Sequence, residues 1–384
     1  MRNILLIPIA VLISFTQSKA LPQFSMLTGN KCINCHISSE GGKERNGLGW
    51  YTRSDIGLLA PDDIGIGKIF RKVAGTNEFF NKKVIFGFDF RYQTALIGTE
   101  RKYFGMQASP YLVVRPLEWL TTGGSYDLFY NFNIAPWPGQ QKWSAFVILQ
   151  PGLTMPSLKA GYFEPPIGMN YDDHTLLISQ EILGSQGHYF PVQMIPPDYA
   201  EYGAEINYEG LKWLSLTAGL FNSNNLADIY AGGTSNLADS NTVSAAFRAS
   251  VWQRFFENKL NLNLGASYFT NYDFNITAVF LNAGLTDNLT LLTEILWSDK
   301  SGVRKTRNYL IGATYQLFDF LLLEARYEGG RTDDNINSVM NANQYVAGLQ
   351  FFPFPFIEFR PEYRVFKQES GTQSQFAAQL HIFY

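Results

Sequence analysis

Val84-Ile85-Phe86-Gly87-Phe88-Asp89-Phe90-Arg91-Tyr92-Gln93-Thr94-Ala95-Leu96 is the stretch that decides the fold. In an extended chain Phe86, Phe88, Phe90, Tyr92, Thr94 and Leu96 fall on one face and Gly87, Asp89, Arg91 and Gln93 on the other, because successive strand side chains point to opposite sides. The division returns in Leu321, Leu323, Ala325 and Tyr327 against Glu324, Arg326 and Glu328. It returns again in Ile357, Phe359, Pro361, Tyr363 and Val365 against Glu358, Arg360, Glu362 and Arg364. The last strand sets Phe376, Ala378, Leu380, Ile382 and Tyr384 against Gln375, Gln379 and His381. A soluble sandwich also alternates, but it buries its apolar face against a second sheet and has little use for aromatic side chains at strand ends. Segments of about 10 residues with aromatic ends and a charged face fit instead a transmembrane wall, apolar toward lipid and polar toward a lumen.

Sixteen such segments follow one another, near 84–96, 102–114, 117–131, 142–150, 157–164, 201–208, 212–222, 242–253, 259–272, 275–286, 288–299, 306–317, 319–330, 342–353, 355–368 and 373–384. Boundaries read this way carry an error of about 2–4 residues, so roughly 14 to 18 strands are allowed. The links alternate in length. Glu209-Gly210, Thr286-Asp287-Asn288, Phe318-Asp319 and Phe352-Pro353-Phe354 are short, whereas 132–141, 164–200, 222–241, 299–306, 329–342 and 368–374 are longer and polar. In bacterial barrels short turns face the periplasm and long loops the exterior, so both chain ends are expected on the periplasmic side of an outer membrane. The fold class expected is all-β: a transmembrane antiparallel β-barrel of about 16 strands over residues 81–384, wide enough for an aqueous channel or a plug.

The 384 residues carry a net charge of −3, with a pI near 5.9, and offer no basic field for nucleic acid. Aromatic residues make up 15% of the chain, with 31 Phe and 21 Tyr, yet mean hydropathy is −0.09. Strict alternation produces that combination, and after the N-terminus no apolar run reaches the length of a spanning helix. Residues 1–20 read as a signal peptide: Arg2 gives a positive start, Ile4 to Phe15 an apolar stretch, and Ser18-Lys19-Ala20 a cleavage region before Leu21.

Residues 21–80 carry Cys32-Ile33-Asn34-Cys35-His36. Two thiols and an adjacent imidazole at this spacing are what covalent haem attachment requires: the cysteines add across the vinyl groups and His36 stands as proximal iron ligand. A redox dithiol or half of a zinc site also begins with C-x-x-C, but these are the only cysteines in the chain and no thioredoxin-like pattern surrounds them. The expected cofactor is one covalent haem c in a monohaem cytochrome c segment. About 45 residues separate the motif from the first strand, too few to enclose a haem unaided, so part of the pocket is expected from the barrel. No Met or His lies between residues 37 and 105. Candidate sixth ligands are therefore Met26, Met169, His174, His188 and Met194, with Lys43, Met106 and His381 beside them, or the iron is left five-coordinate or water-bound.

Met169, His174, His188 and Met194 all belong to the link at 164–200, the third on the outer side. Its start, Glu164-Pro165-Pro166-Ile167-Gly168-Met169-Asn170-Tyr171-Asp172-Asp173-His174, combines stiff prolines with acids. One reading is an inward-folding constriction loop whose acids set selectivity; the others are haem ligation and metal-ion capture, with Asp172, Asp173 and Asp198 drawing in cations.

Leu21-Pro22-Gln23-Phe24 and Thr28-Gly29 before the C-x-x-C-H motif, directly after a signal peptide and ahead of a barrel, resemble the fused outer-membrane monohaem cytochrome–porins, whose best-known members are the iron oxidases of iron-oxidising bacteria. The terminal His381-Ile382-Phe383-Tyr384 is similar to the aromatic signal by which outer-membrane barrels are recognised for assembly. The stretch from Gly41-Gly42 to Arg45-Asn46-Gly47 departs from the iron-oxidase pattern and looks closer to porin-fused cytochromes of unassigned substrate. The resemblance implies an oxidoreductase-like role: electrons pass between an extracellular redox substrate, ferrous iron among the candidates, and a periplasmic c-type cytochrome or other carrier. The alternative is a diffusion porin whose haem segment is a plug, sensor or docking tag. Trimers are common among sixteen-stranded porins, so a homotrimer in outer-membrane lipid is the oligomer considered, although no residue argues for one.

Overall fold

The computed structural model describes residues 22–39, 41–54, 56–60, 62–65, 76–129, 142–152, 154–171, 173, 175–185, 188–196, 199–231, 235–256, 259–334 and 339–384. The expected signal peptide, Asp172, His174 and Asp198 lie outside the described residues.

Sixteen antiparallel strands close on themselves. They are β1 Val84–Ile97, β2 Glu100–Leu117, β3 Leu120–Tyr126, β4 Trp143–Leu149, β5 Ser157–Phe163, β6 Glu201–Tyr208, β7 Leu214–Asn222 and β8 Val243–Phe255. The second half comprises β9 Leu260–Asn271, β10 Phe274–Gly284, β11 Leu289–Lys300, β12 Arg304–Phe318, β13 Leu321–Asp333, β14 Val339–Phe354, β15 Ile357–Gln368 and β16 Gly371–Phe383. Each pairs with its sequence neighbours, and β1 pairs with β16 from Asp89↔Phe383 to Ile97↔Gln375, so no edge of the wall is left open. All sixteen expected segments are found. β3 is shorter than the expected 117–131, because the Asp127 carboxylate takes the amides of Ala108 and Phe129 and so replaces ladder acceptors where the strand ends.

Burial confirms which face is which. Phe86, Leu216, Leu264, Ile311 and Tyr363 are exposed on the outer surface, whereas Asp89, Arg91, Gln93, Glu328, Glu358, Glu362 and His381 are buried. The outside is apolar and the inside is charged, the inverse of a soluble protein and the polarity a lipid surround demands. Inward side chains are buried because the lumen is filled from both ends.

From the short-turn end comes the N-terminal segment. Helix α1 (Pro22–Thr28) opens on a proline, whose missing amide costs nothing at that position, and stops at Gly29 with φ +65°. It packs on β9, β10 and β11, where Asn261 donates to the Met26 carbonyl at 2.9 Å. Phe24, Trp50 and Ile56 join Leu322, Phe352, Phe356 and Phe383 in one apolar cluster, and the Leu58 and Leu59 amides bond the Phe352 and Pro353 carbonyls at the end of β14.

From the long-loop end comes the 164–200 link, which folds inward and crosses to the far wall, as the constriction reading expected. Gly168 donates to Ser267 at 2.7 Å, Met169 to Glu294 at 3.0 Å, and Ile182 to Thr332 at 2.9 Å. A hairpin at Gln180–Ser185 and His188–Gln193 stiffens its return.

Ile311 sits midway along β12 and is 51% exposed. Ile311→Arg should therefore destabilise the barrel by about 2–4 kcal/mol in lipid vesicles, measured by denaturant unfolding, since a cation there faces hydrocarbon.

Candidate functional site

The Cys32–His36 motif lies inside the barrel, at the short-turn end. Residues Cys32–Asn34 form a tight 3-10 turn in which the Cys35 and His36 amides both bond the Cys32 carbonyl, at 3.1 and 2.9 Å. This winding brings the two cysteines to neighbouring positions on the turn, with Cys35 buried and Cys32 half-buried. Helix α2 (Gly47–Ser54) then covers the motif. Asn46 caps it by accepting the Leu48 and Gly49 amides at 3.0 Å each, and its own amide bonds the Cys35 carbonyl at 3.0 Å. At Gly49 the helix approaches so closely that a Cβ would lie 2.2 Å from the Cys35 oxygen. The Gly41-Gly42-Lys43-Glu44-Arg45-Asn46-Gly47 stretch, which departed from the expected family pattern, is thus the part that packs this motif.

The barrel wall supplies the anchors. His36 pairs through its backbone with Arg45, whose guanidinium reaches Asp89 on β1 at 3.2 Å and stacks over Phe383 at 4.7 Å. The Arg45 amide donates to the Tyr111 hydroxyl, which in turn donates to the Tyr384 carbonyl at 3.0 Å. On the opposite side Ser39 donates to Asn207 at 3.1 Å, Lys159 of β5 reaches Ser38 at 3.3 Å, and Lys31 reaches Glu209 at 2.9 Å. The segment is strung across the lumen between β1–β2 and β5–β7.

Beside the motif a cavity of about 240 Å³ separates the segment from the inward loop. Ile37, Gly41 and Gly42 line it on one side, Met169, Tyr171 and Met194 on the other. Gly41 and Gly42 have φ of +96° and +103°, a conformation that excludes other residues here. A Cβ on Gly41 would meet the Cys32 Cβ at 4.0 Å, and one on Gly42 would meet Asn170 of the loop at 3.9 Å. Bare backbone at these two positions keeps the cavity open between residues 41–42 and the loop. Two thiols and a neighbouring imidazole are the donor set that covalent haem attachment uses, but Cys32, Cys35 and His36 lie beside this cavity and do not line it, and its lining mixes Met169 and Met194 with the charged Lys43, Glu44 and Lys159.

The candidate sixth ligands separate. Met26 is buried under α1 against β9–β11 and does not line the cavity, and Met106 on β2 accepts the Gln379 amide at 3.0 Å. His381 is held between Glu358 at 3.0 Å and Asp89 at 3.3 Å. Met169 lines the cavity, but its sulfur accepts the Asn282 amide at 2.8 Å. Met194 lines the cavity and is 3% exposed. For His188 only the backbone, in the loop hairpin, is described.

Asp173 has a different task from the cation steering expected of it. It is buried between Arg364 at 3.2 Å and Arg326 at 3.3 Å, and Thr175 bonds it through amide and hydroxyl. Burial pushes its carboxyl up, but the two guanidiniums and Thr175 outweigh that and hold it well below the usual carboxylate range. It clamps the loop to β13 and β15. Sequence reading missed this because alternation marks Arg326 and Arg364 as inward without naming the loop residue that meets them.

The fold defines a class, the closed sixteen-strand barrel of the porin type. No family model and no curated protein matches the chain, but solved structures do. It is similar to the outer membrane channel DcaP of Acinetobacter baumannii, with TM-score 0.53 and 11% identity over 78% of this chain and 97% of that one. OprB of Pseudomonas putida gives 0.52 and 12% over 84% and 97%, and an anion-selective porin from Comamonas acidovorans gives 0.52 and 12% over 78% and 99%. At such identities the likeness is one of fold.

Because the Asp173 titration is depressed in the folded loop, its contribution is complete above the ordinary aspartate pKa and is lost only as pH falls through the lowered value. Asp173→Asn should speed hydrogen exchange at Leu177 and Ile182 roughly tenfold or more at pH 7, and the difference should persist down to about pH 4, where an unperturbed aspartate is half protonated. A difference that fades near pH 6 would assign the clamp to other groups.

Proposed function

We infer that this chain is an outer-membrane porin-type barrel whose own N-terminal segment plugs the lumen from the periplasmic end and carries a covalent haem c there. The observation that carries the reading is the seating of the described residues of 22–59 inside the wall, tied to β1, β5, β6 and β9 by Arg45, Ser38, Ser39 and the Met26 carbonyl. Short turns at that end support its assignment to the periplasm, and the apolar outer face fits outer-membrane lipid. The channel reading comes first: with a plug at one end and a clamped loop at the other, passage depends on moving one of them.

A second reading, electron transfer, is favoured by the pairing of His36 with Arg45, whose guanidinium is held by Asp89 on the inner wall. A haem bound there supplies one-electron chemistry. The hydrocarbon core is about 30 Å thick, so a site set inside the barrel shortens the reach to an extracellular donor or acceptor, ferrous iron among them, and leaves a periplasmic c-type cytochrome or similar carrier on the other side. In this reading the chain's own residues hold and insulate: Gly49 and Asn46 fix the motif turn, and Arg45 sets its depth on Asp89. A homotrimer suits either reading.

Two measurements test this. Cys32→Ala with Cys35→Ala should abolish haem that survives denaturing electrophoresis while the barrel still assembles; retained haem would refute the attachment. Deleting residues 22–60 should raise single-channel conductance severalfold, since the charged inner faces would then line open water. Unchanged conductance would mean that the segment does not plug the pore.

A further inference from the structure

On the outer face of β12–β15, at the end where the long links join the strands, the exposed cations Lys305, Arg307, Arg331 and Lys367 stand above a band of tyrosines. We propose that this shelf binds a phosphate-bearing glycolipid of the outer leaflet, its phosphate held between Arg307 and Arg331 and its acyl chains lying on the wall below. Such binding is independent of any haem and rests only on the orientation given above, with the long-loop end outside.

Arg307 and Arg331 are directly opposed in the β12–β13 register, and both are exposed. Opposed residues on adjacent strands have Cα atoms about 4.5–5.5 Å apart, and like charges in that relation destabilise a sheet. Neither arginine has an ion-pair partner among the described residues. The acids of the same rim are placed elsewhere: Asp299 lies 3.4 Å from Lys305, Asp333 is opposed to Lys305 in register, and Glu369 lies past the end of β15. Arg307 rests over the Trp297 ring at 5.9 Å, and Lys367 over the Tyr345 ring at 5.2 Å. Two adjacent guanidiniums suit one phosphate, which each can grip through paired N–H bonds.

The wall below fits the rest of such a lipid. The Tyr309 ring lies across β13 because Gly329 has no side chain; a Cβ there would lie 2.1 Å from the ring. The Tyr309 hydroxyl meets that of Tyr327 at 3.0 Å, Tyr327 donates to Asn343 at 2.9 Å, and the Tyr327 and Tyr345 rings stand 5.0 Å apart. Rings facing lipid with their polar tips satisfied by one another mark the headgroup level of a membrane wall. Farther toward the short-turn end Ile311 and Leu323 are exposed. Cation, aromatic ring and aliphatic side chain therefore follow one another in the order of a glycolipid's phosphate, sugar and acyl chains. A free phosphate would use the first of these alone.

The test measures binding of lipid A, an acylated disaccharide bisphosphate, to the full-length protein in detergent by native mass spectrometry, with barrel folding checked by heat-modifiable migration on gels. Arg307→Gln with Arg331→Gln should weaken binding roughly tenfold or more, and added salt should weaken it in the unaltered protein. Lys305→Gln, whose charge already faces Asp299, should change it about twofold or less. Arg307→Lys with Arg331→Lys should keep part of the affinity, since ammoniums retain the charge without the paired bonds. Dephosphorylated lipid A should bind the unaltered protein no better than lipid A binds the double Gln variant. Equal binding of lipid A by that folded variant and by the unaltered protein would overturn the proposal. So would full competition by inorganic phosphate at the lipid's own concentration, which would leave an ion site only, or loss of an oligomer in the variant with lipid binding retained, which would make this face a contact between copies. Orientation is read separately: Ser301→Cys, in the β11–β12 link, should react in intact cells with an impermeant thiol reagent. Failure to react there, with reaction in lysed cells, would refute the orientation and not the lipid chemistry.

Discussion

Everything in this molecule follows from the cost of an unpaired backbone amide in hydrocarbon. Each such group costs several kcal/mol, so a lipid-facing sheet must close, and the β1–β16 pairing provides that closure. Closure then fixes polarity. With lipid outside, Phe86, Leu264 and Ile311 are the exposed residues and Asp89, Glu328 and His381 the buried ones, and the burial of charge has to be compensated within the lumen.

Compensation is what shapes the interior. β15 carries Glu358, Arg360, Glu362 and Arg364 on one face, with Arg360 3.1 Å from Glu358 and Arg364 2.6 Å from Glu362. At one end of this ladder Glu358 meets His381, which meets Asp89, which meets Arg45 of the plug. At the other end Arg364 meets Asp173 of the loop. The wall charges that make a lumen polar are therefore the same ones that hold its two fillings. Breaking a buried pair by removing one partner strands the other charge, so segment and loop are each held more firmly than their few contacts suggest.

The N-terminal segment shows the reverse dependence. Two short helices and a turn cannot bury enough surface to fold alone, and nearly every buried apolar residue in it, Phe24, Met26, Trp50 and Ile56, packs on the wall. The barrel acts as its core.

Much of this was legible in the chain itself. Period-two alternation marked all sixteen strands and their inward and outward faces, since a strand's side-chain direction depends only on sequence parity. The alternation of short and long links placed the plug end, and C-x-x-C-H marked the thiols and imidazole by local spacing alone. What the sequence left open were encounters between distant residues. That Asp173 meets Arg326 and Arg364, that His381 is taken by Asp89 and Glu358, and that Met169 sets its sulfur against the Asn282 amide all depend on how the wall closes and how a long loop crosses the lumen. Parity tells a residue which way to point; only the closed barrel, by setting sixteen strands around one interior, decides what it will find there.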